Sequence, residues 1–225
     1  MQDHKLIIDF HCHSRAESSV DRMEIVSCDP LKNISEGFHT IGYHPWWHHE
    51  HLTQKELFLI ENEISGNNNC LAIGECGLDK LKGAAEEIQT SNFLKQIEIA
   101  NRLKAPVIIH CVKRYNEVIY LYKKHAQTQW TVHGFSRNKI LAKSLLDLGI
   151  RLSVAPHHAM TLSMTEMLRY LPHDMFFLET DSDRRTPIRE RYALMAQIKS
   201  FNIEDLADIV HENVCAFFGP KFINL

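Results

Sequence analysis

Short apolar runs alternate along the chain with longer segments in which apolar residues recur every three or four positions. The runs are typical of buried strands, because a parallel sheet is covered on both faces. The longer segments have the spacing of amphipathic helices. The runs predict strands over residues 6–13, 23–28, 38–43, 70–73, 106–109, 130–132, 150–154 and 175–178. The spacing predicts helices over residues 52–65, 84–104, 113–127, 138–148, 163–171, 188–200 and 204–218.

Eight strands that mostly alternate with helices favour a parallel sheet, and eight units favour a TIM-type (β/α)8 barrel. A doubly wound open sheet is the alternative. The first three strands are joined by connections of about ten residues, near the minimum for a parallel crossover. We therefore expect the helices after strands 1 and 2 to be reduced or missing. The chain shows no repeat or linker, so we expect residues 1–225 to form a single barrel domain.

The composition is that of an ordinary globular protein, with 44% hydrophobic and 24% charged residues. The net charge of −3 does not favour nonspecific nucleic-acid binding, which usually needs a basic excess. No apolar run approaches the 18 or so residues of a membrane helix, and the N-terminus lacks a signal-like apolar core. The six cysteines are scattered without a CxxC pair, which is typical of reduced packing thiols. We expect a cytoplasmic protein with no membrane association.

Histidines and acidic residues, whose side chains can bind metal ions, follow several of the apolar runs. His11 and His13 project to the same face at the end of the first strand, because strand side chains alternate. Taken alone, they could be two solvated histidines. The pattern recurs, however, on four later strands, at Glu75, His110, His133 and Asp181. The carboxyl ends of barrel strands meet at one face, so we expect these side chains to form a metal site.

Six ligands are too many for one tetrahedral centre but suit two adjacent divalent cations. We expect His11, His13 and Asp181 to bind one cation and His110 and His133 the other, with Glu75 bridging them. Zn²⁺, Mg²⁺ and Mn²⁺ all remain open. Such a pair polarises a phosphoryl or carbonyl oxygen and lowers the pKa of water. Asp181 is the candidate general base beside that water.

The same residues resemble those of TatD-related metal-dependent hydrolases, a family of the amidohydrolase superfamily. The matching motifs are His11-Cys12-His13, Gly42-Tyr43-His44-Pro45, Gly74-Glu75-Cys76-Gly77-Leu78-Asp79, Val107-Ile108-Ile109-His110, His133-Gly134-Phe135-Ser136 and Leu178-Glu179-Thr180-Asp181, with Gln89, Phe93, Gln96 and the end Asn213–Gly219. The resemblance implies a TIM barrel and divalent-metal hydrolysis of phosphodiester bonds, with deoxyribonuclease activity and DNA as the substrate. The family normally has a longer segment between the first two motifs.

Several residues near the strand ends have two interpretations. The resemblance suggests that His44 faces the substrate, although the ring could equally stabilise the turn before Pro45. Arg184 and Arg185 follow the last strand, where barrels often hold phosphate, but paired loop arginines are usually solvated. Trp46 and Trp47 could stack a base or a sugar, or pack the loop. Asp9 could orient a metal ligand or only fill the bottom of the barrel, and Asp79 could do likewise from its loop.

The sequence therefore predicts a metal-dependent phosphodiester hydrolase, most simply a deoxyribonuclease. The alternative on the same metal core is a small-molecule amide, lactone or phosphoester hydrolase. A non-catalytic binding protein that keeps the barrel is disfavoured, because a buried polar cluster without a function is costly. The missing helices would leave one flank of the barrel uncovered, so both a monomer and a homodimer are open.

Overall fold

The computed structural model describes residues 6–15, 22–183 and 185–223. The strands are β1 (Ile7–Cys12), β2 (Arg22–Cys28), β3 (His39–Ile41), β4 (Cys70–Asp79), β5 (Val107–Val112), β6 (Trp130–Val132), β7 (Arg151–Val154) and β8 (Phe176–Leu178). The helices are α1 (Gln54–Gly66), α2 (Glu86–Leu103), α3 (Tyr115–His125), α4 (Lys139–Leu146), α5 (Leu162–Tyr170), α6 (Ile188–Lys199), α7 (Ile203–Phe218) and α8 (Pro220–Ile223).

The order of strands in the sheet follows the chain from β1 to β8, and strands alternate with helices from β3 onward. This is the (β/α)8 topology that the sequence predicts. The connection between β2 and β3, residues 29–38, contains no helix, as expected from its length. Of the connection between β1 and β2, the structure describes residues 13–15. Among all described helices, none is long and apolar enough to cross a membrane.

Two of the predicted strand ends are wrong. We predicted that the fourth strand ends at Ile73 and the fifth at Ile109, whereas β4 continues to Asp79 and β5 to Val112. Every residue of β4 is buried, so a polar side chain there does not mark the end of the strand. Glu75 and His110 therefore lie inside strands and not after them.

The described residues divide into two compact units. Of the described residues, the terminal unit comprises 6–15, 22–26, 134–183 and 185–219, and the central unit comprises 27–133 and 220–223. The prediction of a single domain stays a prediction.

In the terminal unit, β1 pairs in parallel with β2 and β7 pairs in parallel with β8. Phe10 of β1 stacks on Phe177 of β8, with ring centroids 3.9 Å apart, and α7 covers these rings with Phe217. The Tyr192 hydroxyl of α6 donates to the Ile8 carbonyl at 2.9 Å. These contacts fix β1, which carries His11 and is followed directly by His13.

In the central unit, β3 to β6 pair in parallel in sequence order. The strands are lined by fully buried aliphatic side chains such as Ile41, Ile73 and Ile108. Phe93 of α2 packs against Trp130 of β6, with ring centroids 5.7 Å apart. This core holds the strands that carry Glu75 and His110.

Candidate metal centre

Three imidazole rings of the central unit converge on one oxygen atom of Glu75. Glu75 lies where the pairing of β4 with β5 shifts register, an irregularity that re-aims a strand side chain. Its Oε1 lies 2.8 Å from His44 Nε2, 2.8 Å from His110 Nδ1 and 2.7 Å from His133 Nε2. All four side chains are buried, and Glu75 is 1% exposed. The structure thus brings together three of the six predicted ligands.

His44 is a hydrogen-bonded member of this cluster. Its Nδ1 accepts the backbone N–H of Trp46 at 3.1 Å, so the neutral ring carries its proton on Nε2 and donates it to Glu75. Burial lowers the pKa of His44, against the opposing effect of Glu75, which favours this neutral ring. The bond to Trp46 is the turn-stabilising contact that the sequence left open. A contact of His44 with substrate stays a prediction.

Asp79 fixes the orientation of His110. Asp79 Oδ2 accepts from His110 Nε2 at 3.1 Å and from Trp46 Nε1 at 2.7 Å, while Oδ1 accepts the backbone N–H groups of Leu81 and Lys82. Burial alone would raise the pKa of Asp79, but the bonds from His110, Leu81 and Trp46 hold it below its ordinary value. The ionised carboxylate therefore keeps the proton of His110 on Nε2 and turns Nδ1 toward Glu75.

The donor atoms of the central cluster suit a divalent cation. His110 donates from Nε2 to Asp79 and directs its other ring nitrogen, Nδ1, at Oε1 of Glu75, 2.8 Å away. In a neutral ring this nitrogen offers a lone pair to a cation. Imidazole nitrogens and carboxylate oxygens are ligands for Zn²⁺ and related metals. Glu75, His110 and His133 are therefore a chemically suitable ligand set.

Buried amides of α2 hold the segments around this cluster. Gln89 Oε1 accepts the Asp79 backbone N–H at 2.7 Å, and its Nε2 donates to the carbonyls of Asp79, Lys82 and Ala84. Gln96 Oε1 accepts the Tyr43 backbone N–H at 2.8 Å, beside His44. The amide motif of the sequence thus fixes the loop after β4 and the segment after β3.

The remaining predicted ligands lie in the terminal unit. The rings of His11 and His13 have centroids 5.2 Å apart, and His13 Nε2 lies 3.1 Å from Asp181 Oδ1. The Asp181 backbone N–H donates to the His11 carbonyl at 2.9 Å, and Asp181 has a left-handed φ of 54°. This backbone bond joins the segment after β8 to β1, which brings the three side chains together.

Asp9 positions the residue before Asp181. Its carboxylate accepts the Thr180 backbone N–H at 2.9 Å and the Thr180 hydroxyl at 2.6 Å. Burial raises the pKa of Asp9 to about 7, although both bonds from Thr180 lower it. Of the two roles that the sequence left open for Asp9, the structure favours orientation, exerted on the segment that carries Asp181.

The arginines after β8 behave differently from one another. Arg184 lies outside the described residues. Arg185 is exposed, and its guanidinium donates to Asp183 Oδ1 at 2.8 Å. Arg191, which no sequence pattern indicates, is 1% exposed and donates to the carbonyls of Pro156, Asp183 and Thr186. Arg191 holds the loop after β8, and phosphate binding by Arg184 and Arg185 stays a prediction.

The cysteines beside the candidate ligands are packing residues. Cys12, Cys76 and Cys111 are buried, and all six cysteines of the chain are free thiols. Burial raises the pKa of each of these three thiols, that of Cys111 to about 12. Such groups are protonated near neutral pH and are poor nucleophiles.

Comparison with known proteins decides the family. Residues 18–219 match the family described as TatD related DNase, which covers most of the chain. The chain belongs to this family. Among its relatives, an uncharacterized metal-dependent hydrolase, YcfH, from Escherichia coli K12 is 26% identical over 198 residues, covering 79% of this chain and 72% of the relative. The human deoxyribonuclease TATDN3 is 27% identical over 184 residues, covering 75% of this chain and 66% of that protein.

Solved structures of the TatD family share the fold. The Escherichia coli TatD homologue YJJV superposes with a TM-score of 0.76 at 20% identity and covers 94% of this chain and 97% of its own. A TatD family hydrolase from Entamoeba histolytica also has a TM-score of 0.76, at 16% identity, covering 96% of this chain and 99% of its own. These neighbours confirm the TIM-type (β/α)8 barrel. The chain is thus a member of a family of metal-dependent hydrolases with candidate metal-binding clusters of its own.

Proposed function

We propose that this TatD family protein is a divalent-metal-dependent phosphodiesterase that acts on DNA. The observation that carries the proposal is the convergence of three buried imidazoles on Glu75, which gives a ligand set suited to a divalent cation. The set in the terminal unit, which comprises His11, His13 and Asp181, supplies ligands of the same kind. Two divalent ions, of Zn²⁺, Mg²⁺ or Mn²⁺, are proposed for the six predicted ligands, which are His11, His13, Glu75, His110, His133 and Asp181.

The protein groups have distinct tasks in the proposed reaction. Bound cations would supply Lewis-acid stabilisation of the phosphoryl oxygens and a water of lowered pKa. Asp181, whose side chain is about one-third exposed, is open to solvent and accepts the proton of the attacking water. The water oxygen forms a bond to phosphorus, the bond from phosphorus to the leaving oxygen breaks, and the proton passes to that oxygen. His44 and Asp79 hold Glu75 and His110 in place throughout.

DNA as the substrate is the finer part of the proposal. It is supported by the relative TATDN3, a deoxyribonuclease, and by the family description. YcfH, the Escherichia coli relative described above, is named only as a metal-dependent hydrolase. Cytoplasmic location and the choice between monomer and dimer stay predictions.

The test is a substrate panel with defined metals. Purified protein is stripped with EDTA, reloaded with Mg²⁺, Mn²⁺ or Zn²⁺, and given single- and double-stranded DNA, bis(p-nitrophenyl) phosphate, and small amides and lactones. We expect DNA cleavage that requires metal. Asp181→Asn should abolish it while circular dichroism and the melting midpoint stay those of the wild type.

Each other outcome of this panel contradicts part of the proposal. Cleavage of a small amide or lactone with no action on DNA would establish the small-molecule hydrolase instead. No hydrolysis with any metal, together with no metal retained in elemental analysis, would establish a binding protein that has kept the barrel.

A further inference from the structure

We propose that Trp46 and Trp47, with Lys32 and Lys82, form a subsite that stacks a nucleobase and binds the adjoining phosphate of a single-stranded nucleic acid. This inference rests on the proposed function and names how the substrate strand is held beside the central cluster. All four residues belong to the central unit and follow or flank strands that carry the cluster. We call these four residues the tryptophan–lysine patch.

Trp46 is part of the cluster's own hydrogen-bond network. Its indole Nε1 donates to Asp79, and its ring meets those of His44 and His110 edge-on at centroid distances of 4.9 and 5.1 Å. Lys82 Nζ lies 3.7 Å from the centroid of the Trp46 ring. A cation is thus held against an aromatic ring one side chain away from Glu75.

Trp47 extends the patch toward solvent. Its ring lies 4.7 Å from that of His44 with a tilt of 30°, and it is 36% exposed. Lys32 Nζ lies 4.7 Å from the ring centroid, and its side chain is 67% exposed. Lys32 also pairs with Asp29 Oδ2 at 3.4 Å; the Asp29 carboxylate is buried, whereas the lysine side chain is accessible to a phosphate oxygen from solvent.

The backbone of the loop after β4, which carries Lys82, is held by several contacts. Gly83 has a φ of +96°, and a Cβ at this position would lie 2.2 Å from the Pro45 carbonyl oxygen. The next residue, Ala84, donates its backbone N–H to the same carbonyl at 3.1 Å. Gln89 makes four further bonds to the loop: it accepts the Asp79 N–H and donates to the carbonyls of Asp79, Lys82 and Ala84. The backbone that carries Lys82 is therefore held in place before a ligand arrives.

The chemistry of the patch selects its ligand. Aromatic rings stack on any nucleobase, and lysines beside them bind the backbone phosphates, a combination that suits an unpaired strand. In a duplex the faces of the bases are covered by stacking. The carboxylate nearest to the rings, Asp79, is fully engaged by His110, Trp46 and two backbone N–H groups and does not repel a phosphate as a bare charge would.

The test measures strand binding without hydrolysis. In EDTA, a fluorescein-labelled strand of about ten thymidines is titrated with the protein and followed by anisotropy. A strand of equal length with abasic sites separates stacking from charge. We expect Trp47→Ala to raise the Kd for the thymidine strand by about 5- to 100-fold and to leave that for the abasic strand unchanged. Trp47→Phe should keep most of the affinity for the thymidine strand. Lys82→Met should raise the Kd for both strands.

Tyr120 of α3 provides a matched control, since it is an exposed ring with a lysine, Lys124, 5.6 Å from its centroid. Tyr120→Ala should change neither Kd. The inference is overturned if Trp47→Ala binds the thymidine strand as tightly as the wild type does, or if its affinity for the thymidine strand and for the abasic strand falls by the same factor. It is also overturned if the wild type cleaves bis(p-nitrophenyl) phosphate but does not bind the strand, a result that leaves the proposed function standing. Binding that depends on Trp47 without any hydrolysis supports the patch and contradicts the proposed function.

Discussion

Single side chains determine which atom of each histidine is available in the central cluster. His110 can present Nδ1 to Glu75 because Asp79 holds the proton of Nε2, and Asp79 is itself held by Trp46 and by two backbone N–H groups. In His44 the nitrogens have the opposite arrangement: Nδ1 accepts the Trp46 N–H, and Nε2 faces Glu75. Ring orientation in this cluster is thus set by residues that are not themselves ligands.

Asp79→Asn tests this arrangement. The amide keeps the size of the side chain but removes the charge that holds the proton on His110 Nε2, so the ring loses its fixed tautomer. We expect the affinity for Zn²⁺ or Mn²⁺, measured by competition with a chromophoric chelator, to fall about 10- to 100-fold. Trp46→Phe removes one donor from the same carboxylate and should have a smaller effect. Unchanged affinity in Asp79→Asn would show that His110 is oriented by other contacts.

At this scale the sequence indicated the candidate ligands but not their supports. His11 and Glu75 could be found because each interrupts an apolar strand, and Asp181 because it follows one. The role of Asp79 in orienting His110 could only be guessed, because it depends on contacts with Trp46 and His110 that residue spacing does not show. Arg191 was missed, because its partners lie on separate loops and an arginine in a helix is usually exposed.

At the scale of elements, local signals fixed helix starts well and strand ends poorly. Thr53 and Glu56, a threonine followed three residues later by a glutamate, form the capping box of α1: Thr53 Oγ1 accepts the Glu56 N–H, and Glu56 Oε2 accepts the Thr53 N–H. The signal is contained in four consecutive residues. The end of β4 depends instead on its pairing with β5, a non-local property, which is why the strand runs six residues past Ile73.

Thr53→Ala should lower the free energy of unfolding by about 1 kcal/mol, because the first turn of α1 loses the side-chain acceptor of its cap. Urea denaturation followed by circular dichroism measures the change. Thr90 of α2 is the control: it is in a helix interior, where its hydroxyl donates to the Glu86 carbonyl. Thr90→Ala should be close to neutral. Equal losses in the two variants would mean that the cap contributes nothing specific.

The loop that carries Asp79 and Lys82 depends on α2 through Gln89. Gln89→Leu leaves a buried backbone N–H and three carbonyls without this partner, so we expect a loss of about 2–4 kcal/mol in the free energy of unfolding. Metal affinity should fall as well, because Asp79 is the residue that the amide holds. Glu98→Leu, at an exposed position of the same helix, should change stability by less than about 0.5 kcal/mol. A stable Gln89→Leu variant with normal metal affinity would contradict this account.

At the scale of the whole molecule, the sequence was sufficient for the fold class, since the alternation of strand and helix patterns is repeated along the chain and each repeat supports the others. The order of the strands and the (β/α)8 topology follow from it. The sequence did not show which polar side chains of one element form hydrogen bonds with the backbone of another. Gln96 of α2 holds the segment at Tyr43, 53 residues away in the chain, and Arg191 holds the loop at Pro156, 35 residues away.

A ligand that binds the folded chain must also stabilise it, which gives a test of the metal sites that needs no substrate. At a free metal concentration of 100 times the Kd, one site adds about 2.7 kcal/mol to the free energy of unfolding, provided that the unfolded chain does not bind. For a chain of this size that corresponds to a rise in the melting midpoint of roughly 5–10 °C. Scanning fluorimetry of EDTA-stripped protein, with and without Mn²⁺ or Zn²⁺, measures it. Glu75→Gln should lose most of the rise because the amide is a poor ligand, whereas Glu98→Gln, exposed on α2, should keep it. If both variants respond to metal as the wild type does, the stabilising ion binds elsewhere and the ligand set built around Glu75 is wrong.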